Sequence, residues 1–278
     1  MDTLESILET TRRGKPLVHF ITNYVTVNDC ANMTLAAGGS PIMADDPQEA
    51  EDIVSICSAL VLNMGTPCER TFRSMLAAGK EANKRGKPVI FDPVGAGASA
   101  FRNELAATLL REVSLSVIKG NISEISFLTE GSGTTSGVDA HREALSTENN
   151  LNEHVRLAQR LSEKTGAVVA ISGPIDIIAD SREAWAVRNG HPAMAALSGT
   201  GCMSAAVIGC HAGANPQAPL LSCVCGMSGM GICGELAHER CQALNGGTGT
   251  GTYRMLLLDA MSRLDAETLA ARSNVQRC

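Results

Sequence analysis

The sequence predicts an α/β fold in which a mostly parallel sheet is covered by helices on both faces. Two observations predict it. Short apolar runs such as LVHFITN at 17–23 and ALVLN at 59–63 alternate along the chain with longer amphipathic segments, as strands alternate with helices in such folds. The runs are rich in β-branched residues and lack alternation of polar and apolar positions, which is typical of strands buried on both faces.

The individual elements follow from the same pattern. We predict strands at 17–23, 40–43, 59–63, 88–92, 116–119 and 167–172. Helices are predicted at 27–37, 47–57 and 69–84, and the second is expected to open with Pro47, because proline suits the first turn of a helix. After Gly190 the pattern changes: residues 201–243 have a helical period almost throughout, and a last helix at 252–264 follows a flexible glycine-rich segment at 246–251. The sequence therefore predicts a sheet half followed by a helical half.

Length and composition narrow the class of protein. The 278 residues show no repeat, no linker and no break in composition, so we predict one domain over residues 1–278. A formal net charge of −6 without a basic stripe, and only one Trp, two Tyr and five Phe, exclude a nucleic-acid-binding surface. The polar, acidic start of the chain is unlike a secretion signal, and we expect no membrane span. The ten cysteines are therefore expected to be reduced thiols in the cytoplasm.

Polar residues and glycines recur where the predicted strands end. Ligands of open parallel sheets bind beyond the carboxyl ends of the strands, and glycine lets the backbone approach a ligand closely. Each segment taken alone also fits an ordinary turn. Together they predict a binding site at this edge of the sheet, formed by Asn23, Met43, Asn63–Gly65, Asp92–Ala96, Lys119–Asn121 and Ser172–Pro174.

The turn Gly199–Cys202 leads directly into a predicted helix. Backbone N–H groups at a helix start attract anions, so Gly199, Thr200 and Gly201 are candidates for a phosphate-binding turn. The spacing fits neither the P-loop nor the dinucleotide-binding fingerprint, and a glycine-rich helix cap is the alternative interpretation. Cys202 follows the glycines, and the positive end of the helix dipole is expected to lower its pKa. The thiol is therefore a candidate base or nucleophile.

Two acidic residues are candidates for a magnesium site. Glu124 lies one turn beyond Asn121, and such a pair can order water around Mg²⁺, which keeps several waters and takes few direct protein ligands. The same spacing fits a helix start with an Asn cap and a Glu at the third position. Asp92 ends a strand and precedes Pro93, so it is either an acid that faces the metal or a turn former.

A group of thiols near the carboxyl end of the chain gives a weaker hypothesis. Its members lack the paired C-x-x-C spacing of a zinc site and lie in a continuous small-residue helical pattern. We expect the cysteines to pack as small apolar side chains rather than to bind metal. The residues concerned are Cys223, Cys225, Cys233, His238 and Cys241.

Several longer strings resemble hydroxyethylthiazole kinase, and they occur in that family's order from about residue 4 to about residue 265. They are NYVTVND from Asn23, AGGSPIM from Ala37, DPVGAG from Asp92, KGNISEI from Lys119, SGPID from Ser172, NGHP from Asn189 and GTGC from Gly199. The resemblance implies a ribokinase-like α/β fold and phosphorylation of 4-methyl-5-(2-hydroxyethyl)thiazole by ATP with Mg²⁺ in thiamine salvage. It also implies a homotrimer whose substrate sites lie at the subunit interfaces.

The same resemblance assigns roles to individual residues. Met43 and Gly199 match substrate-contacting positions, and Asn23 is a candidate partner of the substrate hydroxyl. Cys202 matches the position of the proton acceptor. This chain has Lys119 where the family commonly has Arg. A guanidinium group can donate two parallel hydrogen bonds to a phosphate, whereas the ammonium group of lysine acts as a point charge. The remaining assignments are Lys119, Ser172, Thr200 and Gly201 to ATP, and Asp92 and Glu124 to Mg²⁺ and the phosphates.

Three other activities remain open for such a sequence. One is a kinase for another small alcohol such as a hydroxymethylpyrimidine, although the strings around Asn23 and Met43 favour the thiazole. A second is a nucleotide-dependent, ribokinase-like lyase that dehydrates a nicotinamide hydrate, but an acid is expected there in place of Cys202. A third is a cysteine hydrolase built on Cys202, which needs a histidine partner near the thiol.

Overall fold

A computed structural model of the chain describes residues 3–131, 145–244 and 249–278. Its strands form one sheet of nine in the order β2-β1-β3-β4-β5-β6-β7-β8-β9. Strands β1 to β6 pair in parallel, whereas β7, β8 and β9 are antiparallel to their neighbours. The strands are β1 Leu17–Ile21, β2 Ser40–Met43, β3 Ala59–Asn63, β4 Val89–Asp92, β5 Val117–Asn121, β6 Val168–Ser172, β7 Asp176–Ala179, β8 Ala184–Val187 and β9 Val275–Arg277.

Helices connect the parallel strands and then dominate the later part of the chain. A short 3-10 helix, Pro192–Ala196, precedes the longest helical region. The α-helices are α1 Leu4–Gly14, α2 Val27–Ala36, α3 Ala50–Ile56, α4 Glu69–Lys84, α5 Ala100–Glu112, α6 Ile122–Glu130, α7 Leu151–Thr165, α8 Thr200–Ala214, α9 Pro219–Ala243, α10 Thr250–Arg263 and α11 Ala266–Arg272.

The sheet separates two apolar cores because successive side chains of a strand point to opposite faces. In β3, Ala59 and Val61 face a core shared with α1, α2, α8, α9, α10 and α11, while Leu60 and Leu62 face a core shared with α3 to α7. Both sets are buried, which explains the absence of polar alternation in the strand sequences. The prediction of a mostly parallel sheet with helices on both faces is confirmed.

Most element boundaries agree with the sequence pattern. The strands at 40–43 and 59–63 and the helix at 69–84 have the predicted limits. The helix expected to open at Pro47 begins instead at Ala50. The side chain of Asp46 accepts a hydrogen bond from the backbone N–H of Gln48 at 2.9 Å, and its carbonyl accepts one from Glu49 at 3.2 Å. These bonds hold residues 46–49 in a turn ahead of the helix.

The prediction of a sheet half followed by a helical half agrees with the order of β1–β8 and α8–α11, but it misses three strands. The hairpin strands β7 and β8 were absent from the predicted set, and β9 joins the sheet after all the helices. Strand β9 is only three residues long and largely exposed, so its sequence has no apolar pattern from which a strand could be predicted. The helical region at 201–243 is also interrupted, because α8 ends at Ala214 and Pro219 opens α9. The glycine-rich segment expected at 246–251 lies partly outside the described residues, and α10 begins at Thr250, two residues early.

Helix α9 forms the interior of the helical layer. Among the described residues it is long and apolar enough to cross a membrane, judged by length and composition alone, but 83% of its apolar window is buried inside the protein. Cys223, Cys225 and Cys233 are among its buried residues, as expected for thiols that pack as small apolar side chains.

Helix α8 lies against the centre of the sheet through a close glycine contact. A Cβ atom on Gly209 would stand 2.6 Å from the Cγ2 atom of Val61 and 3.3 Å from the Cγ1 atom of Val18. The absence of a side chain at Gly209 therefore sets how near α8 approaches β1 and β3. This approach matters because α8 carries the Gly199–Cys202 turn to the strand ends.

Replacing Gly209 by Ala is expected to lower the free energy of unfolding by about 1–3 kcal/mol, because the added methyl group overpacks the contact with Val61. The matched control is Gly14→Ala in α1, where an added Cβ meets no atom within 4 Å. There alanine, the better helix former, is expected to leave stability unchanged or raise it by up to about 1 kcal/mol. Urea unfolding measures both changes. A Gly209→Ala protein as stable as its parent would contradict the tight packing of α8.

Candidate active site

The candidate site lies at the carboxyl ends of the parallel strands, where the start of α8 meets them. Asn63 and Asp92 end the neighbouring strands β3 and β4 and are paired in register. Asn121 and Ser172 end β5 and β6 and are likewise paired. Because the strands run in the same direction, these polar ends gather at one edge of the sheet, as the sequence predicted.

The turn that leads into α8 has the conformation of a glycine-dependent cap. Gly199 is the residue before the helix and has φ +89°, a left-handed conformation that favours glycine. A Cβ atom there would also lie 2.5 Å from the Cγ2 atom of Thr26. The helix begins at Thr200, so the N–H groups of its first turn have no helical carbonyl to bond. The turn presents donors toward the strand ends and is chemically suited to an anion.

Cys202 is the third residue of α8 and lies beside the ends of β1 and β3. Its Sγ accepts hydrogen bonds from Nδ2 of Asn63 at 3.2 Å and from Nδ2 of Asn23 at 3.5 Å. The same Asn63 nitrogen donates to Oδ2 of Asp92 at 2.7 Å. The structure therefore brings together Cys202, Asp92 and Asn23, which the sequence had singled out separately.

The pKa of the Cys202 thiol is raised above its ordinary value, so the expectation that the helix start lowers it is wrong. Burial is the main cause, and the negative charge of Asp92 is the second. Hydrogen bonding with Thr26 and Asn63 and the charge of Lys119 oppose this shift. The helix dipole acts over the first turn only, whereas burial removes water from the whole group. Burial therefore favours the neutral thiol over the thiolate in the ligand-free protein.

Asp92 and Glu124 form a pair of buried carboxyl groups. Burial raises the pKa of Asp92, while the charge of Lys119 and the hydrogen bond from Asn63 oppose the shift. Burial, followed by the charge of Asp92, raises the pKa of Glu124 to about 7. Two neighbouring carboxyl groups out of water therefore favour a bound proton or a cation near them.

Glu124 also has the capping role that the sequence left open. Its Oε1 accepts the N–H of Gly95 at 2.8 Å, and its Oε2 accepts the N–H of Asn121 at 2.8 Å. In return, Oδ1 of Asn121 accepts the N–H of Glu124 at 3.0 Å, which completes a capping box at the start of α6. The carboxylate thus joins the turn after β4 to the end of β5.

Lys119 spans the gap between the sheet and α8. Its buried ammonium donates from Nζ to the carbonyl of Gly201 at 3.0 Å. Nearby, the hydroxyl of Ser172 donates to the carbonyl of Gly120 at 3.3 Å, and the hydroxyl of Thr200 donates to the carbonyl of Met194 at 3.4 Å. Lys119 thus supplies positive charge directly beneath the glycine turn.

Met43 lines a cavity of about 620 Å³ next to these residues. The cavity lies between the ends of β1 and β2 and the loop after β3, and Thr22 and Gly65 belong to its wall. A Cβ atom on Gly65 would come within 2.8 Å of the side chain of Asn23, so Asn23 borders the same space. The remaining lining residues are Phe20, Tyr24, Val27, Asp45, Thr66, Pro67, Cys68, Arg70, Thr71 and Arg102.

Three functional candidates received no individual role from the sequence. Asn63 stood among the strand-end residues, but no motif marked it as a partner of Cys202. Asp176 was the last residue of the SGPID string; it is buried, and its Oδ1 accepts the N–H of Gly173 at 2.9 Å. Arg102 carried no signal, yet its guanidinium donates to the carbonyls of Gly65 at 2.8 Å and Val94 at 2.7 Å. It joins the loops that follow β3 and β4.

Comparison with known proteins gives a consistent picture over the full chain. The sequence matches the hydroxyethylthiazole kinase family over residues 8–267. It is 56% identical to a hydroxyethylthiazole kinase of Desulfovibrio desulfuricans, covering 100% of this chain and 99% of the relative. It is 50% identical to that of Clostridium acetobutylicum, covering 96% of each chain.

Solved structures agree with these sequence matches. The structure of a hydroxyethylthiazole kinase protein from Pyrococcus horikoshii superposes with a TM-score of 0.88 at 32% identity, covering 100% of both chains. A pyridoxal kinase from Staphylococcus aureus superposes with a TM-score of 0.63 at 13% identity, covering 95% of this chain and 98% of that one. The second similarity concerns the fold alone.

The sheet topology and the strand-end site, with its glycine turn at a helix start and its buried acids, are those of a small-molecule kinase of the ribokinase-like fold class. The full-length matches are more specific. The chain belongs to the hydroxyethylthiazole kinase family.

Replacing Asp176 by Asn is expected to stabilise the protein increasingly as the pH rises from about 4 to 7. Burial raises the pKa of Asp176 to about 7 from an ordinary value of 3.8, so over this range the carboxyl group ionises in the unfolded chain but stays protonated in the folded parent, and the parent loses stability. Asparagine keeps the acceptor for Gly173 and cannot ionise. The difference in unfolding free energy between variant and parent should grow by an amount on the order of 3 kcal/mol between pH 4 and pH 8.

Chemical denaturation of the ligand-free proteins at several pH values measures this difference. Asp180→Asn is the matched control, because Asp180 also accepts backbone N–H groups in a turn but is more exposed. A smaller pH dependence is expected there. A pH-independent difference for Asp176→Asn would contradict the raised pKa.

Proposed function

We propose that the chain transfers the γ-phosphoryl group of ATP to the primary hydroxyl of 4-methyl-5-(2-hydroxyethyl)thiazole, releasing ADP, in thiamine salvage. The observation that carries this proposal is the convergence of Cys202, Asp92 and the start of α8 beside the Met43 cavity. Membership of the kinase family supplies the reaction class. The names of its relatives, both hydroxyethylthiazole kinases, indicate the acceptor alcohol.

The thiazole alcohol is assigned to the cavity beside Met43. Its volume of about 620 Å³ falls within the range of small-molecule pockets, and apolar side chains such as Phe20 and Val27 suit an aromatic ring. Asn23, which adjoins Gly65 of the cavity wall and donates to Sγ of Cys202, is assigned to the substrate hydroxyl, and Gly199 is assigned to the substrate as well. The hydroxyethyl arm would then direct its oxygen toward the sulfur.

The ATP phosphates are assigned to the turn before α8. The free N–H groups of Thr200 and Gly201 and the ammonium of Lys119 favour negative charge at one place. Ser172, at the end of the neighbouring strand, supplies a hydroxyl on the same edge. Lys119 acts as a point charge, so the turn supplies the directional hydrogen bonds that a guanidinium would otherwise provide.

The residues present fit a magnesium ion. Among the described residues no group of three or more His, Cys, Asp or Glu side chains is arranged to hold a metal, so the protein alone does not form a closed site. Mg²⁺ prefers one or two carboxylates together with phosphate oxygens and water, which matches the pair Asp92 and Glu124. Both oxygens of Glu124 already accept backbone N–H groups, so Glu124 is assigned to ordering water. When bound, the ion supplies positive charge to the phosphates.

Cys202 is assigned as the acceptor of the hydroxyl proton. As the new O–P bond forms, the bond between the γ-phosphorus and the ADP oxygen breaks and ADP leaves. The O–H bond of the alcohol breaks, and its proton passes to the ionised sulfur, which becomes the thiol. The donors on Sγ from Asn23 and Asn63, and the charge of Lys119, favour the ionised form needed at that moment. Burial opposes it. Turnover should therefore rise with pH through the ionisation of the thiol.

The alternative activities receive less support. Family membership favours neither a hydroxymethylpyrimidine kinase nor a nicotinamide hydrate dehydratase. For a hydrolase, the side chains that hydrogen-bond Cys202 within the described residues are those of Asn23, Asn63, Thr26 and Asp92, and histidine is not one of them. A cysteine hydrolase uses a histidine beside the thiol to take up its proton, and the described residues lack that Cys–His pair.

We also propose that the chain forms a homotrimer with active sites at the subunit interfaces, and that the protein is located in the cytoplasm. Tyr24, 80% exposed, lines the Met43 cavity, and Val25 beside it is 59% exposed, so an apolar rim of the site is left for a second subunit to cover. The ten cysteines are free, which fits a reducing compartment. Sedimentation equilibrium tests the assembly, and a fully active monomer would contradict it.

In an acceptor panel, ADP release is expected to depend on the thiazole alcohol. Its kcat/KM should exceed that for a hydroxymethylpyrimidine by at least about 10-fold, because the pocket is assigned to a five-membered ring with a two-carbon arm and a six-membered ring with a shorter arm places its hydroxyl differently. A coupled assay with ATP and Mg²⁺ measures this, with ATP alone as the blank. Faster turnover of another alcohol would reassign the substrate, and ester cleavage without ATP would favour the hydrolase.

Replacing Cys202 by Ala is expected to lower kcat by about 10²–10⁴-fold, as removal of a general base does, while the KM for ATP changes little. Cys202→Asp restores a proton acceptor and should keep substantial activity. It should also flatten the rise of kcat with pH, because a carboxylate ionises far below a thiol.

Steady-state kinetics from pH 6 to 10 measure these changes. Cys278→Ala, which removes an exposed thiol after β9, is the matched control and should behave as the parent. Near-parental turnover in Cys202→Ala would remove Cys202 from the mechanism.

A further inference from the structure

Asn63 uses the whole hydrogen-bonding capacity of its side-chain nitrogen on two groups of the site. The residue ends β3 and is 2% exposed. Its Nδ2 donates one hydrogen to Oδ2 of Asp92 at 2.7 Å and the other to Sγ of Cys202 at 3.2 Å. The three residues come from β3, β4 and α8, so a single carboxamide joins three elements.

The orientation of this carboxamide is fixed by the backbone. Oδ1 of Asn63 accepts the N–H of Gly65 at 2.9 Å, and a backbone N–H can only donate. A flipped amide would place two donors against each other, so the nitrogen must face Asp92 and Cys202. Arg102, which donates to the carbonyls of Met64 and Gly65, holds the loop that provides this N–H.

A second asparagine is fixed in the same way. Oδ1 of Asn23 accepts the backbone N–H of Thr26 at 3.0 Å, so its Nδ2 faces Oδ1 of Asn63 at 2.8 Å and Sγ of Cys202 at 3.5 Å. Each orientation thus supports the other. The sulfur receives N–H donors from two amides that are both anchored to backbone groups.

We propose that Asn63 is a positioning residue that acts through Cys202: it holds the sulfur at a fixed place relative to Asp92 and to the alcohol in the Met43 cavity. The inference rests on the proposed role of Cys202. Asp92 and an ionised Cys202 repel each other, and the shared amide holds both by donating one hydrogen to each. Misplacing a reacting group by a fraction of an ångström costs rate more than it costs affinity.

A double-mutant cycle tests the inference with ATP, Mg²⁺ and the thiazole alcohol. Asn63→Ala is expected to lower kcat by at least about 10-fold, the effect of losing a hydrogen bond to a charged group, and to change the KM for ATP by less than about 3-fold. In the Cys202→Ala background the same substitution should lower the remaining rate by less than about 3-fold, because the group it positions is gone. Asn152→Ala, which removes an exposed asparagine of α7, is the matched control and should match the parent.

The outcomes separate this inference from the proposed function. A severe loss in Cys202→Ala, with equal losses from Asn63→Ala in both backgrounds, overturns only the positioning role. Parental turnover in Cys202→Ala overturns both. A raised KM for ATP with unchanged kcat in Asn63→Ala also overturns the inference, because it indicates a binding role.

If the Asn63→Ala protein does not fold, a second variant, Asn63→Asp, tests the same inference. Aspartate has the shape of asparagine and keeps the acceptor for Gly65, but even when protonated it has one O–H where the amide has two N–H groups. It therefore cannot donate to both Asp92 and Cys202. The same loss of kcat is expected in a protein whose thermal unfolding shows a folded state, and parental kcat would overturn the proposal.

Discussion

The site depends on one buried carboxyl group, that of Asp92. An ionised carboxylate out of water is costly unless donors and positive charge surround it. The protein meets this demand with the amide of Asn63 and the charge of Lys119. Each of these has a second function, since Asn63 contacts Cys202 and Lys119 contacts the start of α8. Satisfying Asp92 and assembling the catalytic groups are therefore the same structural task.

Glu124 fits both roles that the sequence allowed, a helix cap and a carboxyl group of the candidate site. It caps α6 by accepting two backbone N–H groups, and its pKa of about 7 reflects burial and the nearby charge of Asp92. Near neutral pH its ionisation is therefore sensitive to any charge that arrives beside it. A phosphate would favour its protonation and a cation its ionised form. The capping bonds keep the group in place in either state.

The sequence predicted features that depend on neighbouring residues, such as strands and turns. It did not predict features that depend on contacts between distant parts of the chain. Buried parallel strands such as β3 were predictable because both faces are apolar, whereas β9 is too short and exposed to carry a pattern. Cys202 and Asp92 stood out through glycine-rich turns at strand and helix ends. The role of Asn63 was not predictable, because it depends on a contact across 139 residues of chain. The pKa of Cys202 was predicted in the wrong direction because the helix start is visible in the sequence and burial is not.

The register of the sheet fixes the positions of the strand-end residues of the site, but it does not fix the position of residue 202. Asn63 lies opposite Asp92, and Asn121 opposite Ser172, because backbone ladders align the strands, whatever their side chains. Position 202 lies outside this ladder, on a helix that approaches from above. The side chain at position 202 can therefore be replaced, which changes its acid–base chemistry, without altering the register of the strand-end residues. This side chain, the proposed proton acceptor, can change with little effect on the scaffold, whereas the asparagines and acids around it are tied to one another by hydrogen bonds and charge.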